Sequence, residues 1–525
     1  MNPFSVFALL YTVALVLDLG DEWQDPWFTG LFLLGAAAAG ITGMTRLKFL
    51  ILLVAVTSYN LVFRFPEVAN HVNLTICLNV AMILAMAYSF VRHRNADTAP
   101  VDYFTAISPL LRLSLVLVYF LAGFHKLNSD YFNPEASCAA GFLGLVIAAL
   151  RTSVLGIPAV VMVTAVGVVA GYRLSRRGRF GSRGSLVFTT VVVTIGSVGL
   201  GGALAILLEP QTGRAPALAI GMVAAAAVLG WELAGSLLLT VPRLQAAILA
   251  FSLSMHAALA LVGFADFGAL ALALLFSFVP ASYQQVLIVD GGVRIRGFVV
   301  HRVHIYGAIG IAVTLFSGTR VVVQRLPHEP LIAGLLFDLA VLIAIWPILA
   351  TVFSPSPRPV WGGVRILNRR MPAFLYVFPV VLVLMGMTPY LGLRTAGNFS
   401  MFSNLRTEGD TSNHLLLGAN PLKVWGYQED IVWIVDIDDR VGQRIHHYDQ
   451  SPRGYALPVV EFRKWIQEWS RAGDHVPLTY GYRGELHTTD DIVTDPRWRT
   501  DSRTPAMVLL DFRVIQPGQP NWCRW

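Results

Sequence analysis

The chain has 525 residues, of which 55% are hydrophobic and 14% charged, with a formal net charge of +7. Water-soluble domains carry roughly 25% charged residues, so a string of soluble domains is excluded, as are disorder, collagen and a disulfide-rich secreted scaffold. In a chain of this kind the basic excess belongs to cytoplasmic loops and not to nucleic-acid binding.

A helix needs about 20 apolar residues to cross a hydrocarbon layer of ~30 Å. In chain order, the runs that qualify or nearly qualify are Phe4–Leu19, Trp27–Met44, Leu47–Phe63, His71–Val91, Ala106–Phe124, Val154–Tyr172, Leu186–Leu208, Ala217–Leu239, Gln245–Gly263, Phe267–Val279, His304–Ser317, Leu331–Phe353 and Pro372–Leu393. The short Cys138–Leu150 run reads as re-entrant or interfacial. The first run lacks a basic leader and a small-residue cleavage site, so it reads as a retained helix. The expected fold is therefore a polytopic α-helical membrane protein of about 10–13 spans over residues 1–394. An extracytoplasmic, strand-rich α+β domain is expected over 395–525.

Arg46/Lys48, Arg92/Arg94, the arginine-rich stretch Arg173–Arg183 and Arg358–Arg370 all fall on one side if the amino terminus is inside. The positive-inside rule makes that side cytoplasmic. Arg64–Asn70, Lys126–Glu135 and the C-terminal domain then lie outside a cell inner or plasma membrane, with Arg64 a lone basic exception. In the tail, Ile431–Val435 and Met507–Arg513 read as strands. Pro458–Trp469 reads as an amphipathic helix with Val459, Phe462, Trp465 and Ile466 on one face. The three cysteines, Cys77, Cys138 and Cys523, are too few and scattered for a disulfide framework or a zinc site, and no metal is expected.

Ionisable groups in or beside hydrocarbon are costly and default to functional hypotheses. Lys126 follows the fifth span in the string AGFHKLNSDYF. A snorkelling interfacial lysine fits that position, but the chain has only four lysines against 35 arginines. Where positive charge alone is needed such a chain uses Arg, which cannot release its proton, whereas a desolvated lysine can. Lysine here points to proton chemistry. The same bias, with the Ala/Val/Gly richness, is the codon signature of a GC-rich bacterial genome. Asn70–His71 opens the fourth span on the same expected face; His71 fits a capping residue or, with His125 and Lys126, a convergent cluster. His256 lies mid-span and must face protein or a cavity. Glu232 reads as a buried structural or protonated carboxyl, and Arg112 as a snorkelling or pairing residue. Phosphate-loop, zinc-protease, serine-elbow and dinucleotide motifs are missing from the sequence.

The string VYFLAGFHKLNSDYF (Val118–Phe132) resembles the signature of the HTTM family, the membrane domain shared with vitamin K-dependent γ-carboxylase. The Pro66…Asn70–His71 segment, Trp231–Glu232 followed by Met255–His256, the stretch TPYLGLRTAGNFSMFSNLRTEG (Thr388–Gly409) and the Trp425–Asp430 region resemble it in order. The resemblance implies that Lys126 deprotonates a reduced naphthoquinone, vitamin K hydroquinone or menaquinol. Oxygen then yields a strongly basic alkoxide and an epoxide, and a peptide glutamate loses a γ-proton and captures carbon dioxide. It implies Lys126, His71 and His125 as catalytic, and Asn70, His256, Tyr119 and Asn128 as quinone-binding. The family's second lysine is replaced here by His125, and the C-terminal region is shorter than the carboxylase's.

Two functions follow. One is a carboxylase-like membrane enzyme that oxygenates a reduced naphthoquinone, with or without carboxylation of an external peptide or protein. The alternative is a non-enzymatic membrane partner that binds a peptide or lipid through its tail. That alternative rests on Trp425, Trp433, Trp465, Trp469, Trp498, Trp522 and Trp525, which fit a binding surface or the tail's own core.

Overall fold

A computed structural model describes residues 3–21, 26–92, 100–141, 215–260, 264–281, 293–295, 298–300, 363–367, 371–409, 412–418, 422–438, 454–498, 504–516 and 520. The expected spans Val154–Tyr172, Leu186–Leu208, His304–Ser317 and Leu331–Phe353 lie outside these residues, as do most of Cys138–Leu150 and the residues Trp522, Cys523 and Trp525. Five described helices are long and apolar enough to cross a membrane, covering Arg46–Arg64, Asn70–Val91, Tyr103–His125, Gly221–Leu238 and Ala373–Leu391. Three shorter apolar helices accompany them.

The chain divides into two compact units. The first holds Met1–Tyr59, Leu74–Phe120 and Phe142–Val380; the second holds Asn60–Asn73, Leu121–Gly141 and Val381–Trp525. This division departs from the boundary expected at 394/395. Two segments that follow or precede membrane-length helices fold with the tail, because they supply the side chains that satisfy its buried backbone, as shown below.

In the first unit, α1 (Pro3–Asp21), α2 (Pro26–Ile41) and α3 (Arg46–Tyr59) pack on one another, and α1 packs along α8 (Ala265–Phe276), which also meets α7 (Gln245–Ala260). Aromatic rings lock α1 in place: Phe4 meets Phe49 and Tyr103 edge-on, and Phe7 tilts against Phe104. The polar groups of these helices satisfy one another. Tyr11 Oη donates to Asn79 Oδ1 at 2.8 Å, and Asn79 Nδ2 donates to Thr57 Oγ1 at 3.0 Å, as an apolar bundle requires. Helix α4 (Asn70–Arg92) and helix α5 (Pro100–His125) cross the unit boundary. Helix α6 (Ala215–Gly230) continues through a π-helical turn, Trp231–Gly235. Strand β1 (Val293–Ile295) pairs antiparallel with β2 (Phe298–Val300), and α9 (Val377–Met387) precedes the tail.

The second unit is built on an antiparallel four-stranded sheet in the order β4-β3-β5-β6: β3 (Ile431–Ile437), β4 (Ala456–Pro458), β5 (Leu478–Tyr482) and β6 (Glu485–Thr489). Alternation puts Val432 and Ile434 inward and Trp433 outward; a register shift before Asp436 turns Ile437 inward in its stead. The β5–β6 connection, Arg483–Gly484, has positive φ at both residues, the two-residue hairpin geometry that matches strand twist. Helix α10 (Val459–Ala472) covers the sheet with Phe462, Trp465, Ile466 and Trp469, and ends on Gly473 in the left-handed conformation. Of the tail's tryptophans, Trp465, Trp469 and Trp498 are core, while Trp425 and Trp433 are exposed.

The Met507–Arg513 strand expectation is corrected. Thr504 accepts from the Met507 N–H and Pro505 occupies the first helical position, so Pro505–Leu509 forms a short helix, α11. Among the described residues beyond it, Ile515 bridges to Ala456.

Candidate functional site

Helix α5 ends at His125, and the chain turns through Lys126 and Leu127, whose N–H groups bond to Gly123 and Phe124 carbonyls at 3.1 Å. The turn faces a buried irregular segment, Thr395–Glu408, in which Phe399, Phe402 and Asn404 all have positive φ. Each such non-glycine residue costs about 1–2 kcal/mol, and backbone strain of this kind concentrates at functional sites. A buried loop must also find partners for its peptide groups; three asparagines provide them, and a fourth, in the loop, serves the backbone of residues 136–138. Asn70 Oδ1 accepts from Phe399 N at 2.5 Å, and Asn73 Nδ2 donates to Gly397 O at 2.8 Å. Asn128 Nδ2 donates to Ser403 O at 2.5 Å and His125 O at 2.8 Å. Asn404 accepts from Cys138 N and donates to Ala136 O.

Against this loop lies Lys126, only 3% exposed, whose Nζ donates to Met401 O at 3.2 Å. His125 is fully buried; its Nδ1 meets Tyr390 Oη at 2.6 Å, and the two rings stack. Its Nε2 has no partner in hydrogen-bond geometry, and the Asn398 backbone lies near the ring. Lys126, His414 and Arg513 are its charged or chargeable neighbours. Buried Arg513 and Glu408 face each other at 3.9 Å. His414 is held as one tautomer: its Nε2 bonds to Phe124 O while Nδ1 accepts from Leu416 and Leu417 N–H. Burial holds its pKa below the ordinary histidine value, outweighing the Phe124 carbonyl.

A second cluster belongs to the first unit. Tyr119 Oη and His256 Nε2 lie 2.5 Å apart, and Trp231 packs edge-on to Tyr119 at 4.1 Å. His256 Nδ1 and Trp231 Nε1 are buried without hydrogen bonds, and Glu232 is buried beside Trp231 in the π-helical turn, a feature frequent at functional sites. Gly235 leaves room for the indole, since a Cβ there would meet it at 3.0 Å.

The expected residues therefore fall into two groups. Asn70, His71, His125, Lys126 and Asn128 are in the second unit, and Tyr119, His256, Glu232 and Arg112 in the first. Asn70, Lys126 and Asn128 converge on one loop; His71 stands partly exposed in the first turn of α4. The amide of Asn128 is consumed by the fold, its Oδ1 accepting from Tyr131 N, so its work is to position the loop and the lysine turn. Arg112 donates to Ser277 O at 2.8 Å and Arg365 O at 2.6 Å, closing the end of α8.

Sequence reasoning did not pick out Tyr390, Met401, Glu408, His414 or Arg513, although the first three lie in the Thr388–Gly409 stretch. It also did not foresee that Cys138 is disulfide-bonded while Cys77 is free and buried. No protein-family model, curated protein or solved structure matches the chain.

Proposed function

We propose that the protein is a carboxylase-like membrane enzyme of the HTTM type that oxygenates a reduced naphthoquinone, with Lys126 as the base and with or without carboxylation of an external peptide glutamate. The observation that carries this reading is the amine of Lys126, withdrawn from water against the Met401 carbonyl beside the His125–Tyr390 pair. A surface lysine serving only to anchor the helix end would extend into solvent.

The residues fit an oxygen-bearing ring. The buried Nε2 of His125 has a hydrogen bond to offer or accept, the role opposite to the one Nδ1 takes toward Tyr390 Oη. When bound, a reduced quinone supplies a weakly acidic hydroxyl and the electrons for reaction with oxygen. Lys126 Nζ receives the hydroxyl proton, His125 Nε2 orients the ring oxygen, and the buried loop keeps bulk water away. Leu127 and the asparagines hold the lysine turn within hydrogen-bond reach of Met401.

The expected topology puts this site on the outer face of a multi-pass inner or plasma membrane. The Cys138 disulfide supports it, since such bonds persist in oxidising compartments. The test is epoxide formation from reduced menaquinone and oxygen by the purified, lipid-reconstituted protein. Lys126→Ala is expected to lose about 10²–10⁴-fold of the rate; no epoxide from the parent, or an unchanged rate in the variant, refutes the reading. The non-enzymatic alternative draws on exposed Trp433 and Leu486 on the sheet. Capture of one specific partner, equal in parent and Lys126→Ala, would favour it.

A further inference from the structure

An apolar segment of the second unit has no place in the chemistry above. Leu415, Leu416, Leu417, Leu422, Val424 and Trp425 are all exposed, Leu416 at 69% and Leu422 at 74%. Soluble surfaces scatter such residues singly; runs of consecutive exposed leucines such as Leu415–Leu417 mark an interaction site.

The anchorage of the segment identifies what covers it. On one side Leu415 N donates to Leu127 O at 2.8 Å and His414 Nε2 bonds to Phe124 O at 3.0 Å, at the C-terminal end of the apolar helix Tyr103–His125. On the other, Trp425 N donates to Leu391 O at 3.1 Å and Gln428 Nε2 to Pro389 O at 2.9 Å, at the C-terminal end of the apolar helix Ala373–Leu391. Gly392 makes the second junction feasible, because a Cβ there would fall 1.8 Å from the Trp425 carbonyl oxygen. The helix that ends at Leu391 exposes Val381, Val383 and Leu384, a face that a bilayer would cover. The leucine segment is therefore tied to the level where two membrane-length helices stop. Trp425 and Tyr427 stand there, as interfacial aromatics do. Its one lysine, Lys423, turns inward to the Gly409 carbonyl.

We propose that residues 414–418 and 422–427 form membrane-dipping segments whose leucines lie in the lipid bilayer at the headgroup–acyl boundary, next to the Lys126 turn. A lipid-soluble ligand would then approach that turn sideways from the membrane. The inference rests on the membrane reading of the chain, and its test separates the two.

Single cysteines at Leu416, Leu422, Leu384 and Glu485 are introduced in a Cys77→Ala background, spin-labelled and reconstituted in phosphatidylethanolamine/phosphatidylglycerol vesicles. Collision with oxygen, which concentrates in lipid, is compared with collision with a water-soluble nickel chelate. Labels at Leu416 and Leu422 are expected to give an oxygen-to-nickel ratio several-fold above that at Glu485, approaching Leu384. Lipid-like values at Leu384 with Glu485-like values at Leu416 and Leu422 overturn the loop proposal alone. Aqueous values at Leu384 as well overturn the membrane reading with it. Labels at Leu416 and Leu422 that reach neither reagent are covered by protein, a second copy included, and this too overturns the proposal.

Discussion

Replacing Asn128 by alanine tests whether the lysine turn and the strained loop are held together as described. Its side chain is fully buried, and its amide gives hydrogen bonds to His125 O and Ser403 O and takes one from Tyr131 N. Truncation strands two buried carbonyls and one N–H at once. An orphaned buried polar group costs about 1–3 kcal/mol, and water admitted to the small void recovers part of that, so the lower end of the range applies and the total is ~3 kcal/mol. For a unit of roughly 150–250 residues each kcal/mol moves the melting temperature by about 2–4 °C, which puts the expected fall at ~6–12 °C. The assay is thermal unfolding in detergent followed by intrinsic tryptophan fluorescence, with epoxide formation measured below the transition. Because the same amide places Ser403 and, through it, Met401, activity is expected to fall with stability. A melting temperature within about 1 °C of the parent refutes the claim that this asparagine clamps the loop.

Three further outcomes are expected. Tyr390→Phe leaves His125 Nδ1 unbonded beside an already unbonded Nε2; turnover should fall about tenfold, equivalent to ~1.4 kcal/mol, and an unchanged rate would remove Tyr390 from the site. Lys464→Met strips the 3.0 Å partner from Glu461, which is 2% exposed. Burial pulls the Lys464 pKa down, but Glu461 and Asp511 outweigh it and hold it above the ordinary lysine value, so the loss should be about 3–5 kcal/mol by denaturant midpoint, with Glu461→Gln in the same chain restoring part of it. Burial lowers the His414 pKa in the folded state, so below the ordinary value of 6.5 the unfolded chain binds more protons at this residue. Its contribution is therefore complete above about pH 6.5 and declines as pH falls below it, and His414→Gln should flatten that limb of the stability–pH curve.

What the sequence discloses depends on how local the determinant is. Helix α10 is legible because Val459, Phe462, Trp465 and Ile466 repeat at helical spacing, and all four are buried. Strand β3 is legible from the period-two alternation of Val432, Trp433 and Ile434, and the apolar runs of the membrane-length helices are unmistakable. The Pro505–Leu509 helix misleads because Met-Val-Leu-Leu is as good a strand as a helix, and its Thr504–Pro505 cap decides. Lys126 stands out through the rarity of lysine in this chain. The partners that make a site of it sit far along the chain: Met401 is 275 residues away, and Tyr390 is 265 from His125. No periodicity encodes such pairings. In the sequence Asn70 and Asn73 are ordinary polar residues at a helix start; the fold brings Phe399 and Gly397 against them.

In this account the Lys126 side-chain amine takes the quinol proton, and amine rescue tests this most directly. In Lys126→Ala, added small primary amines should restore epoxide formation from reduced menaquinone, with a rate that follows the concentration of unprotonated amine and the amine's basicity. An inactive variant that no amine revives, while its fold and the Cys138 disulfide are intact, would contradict the account.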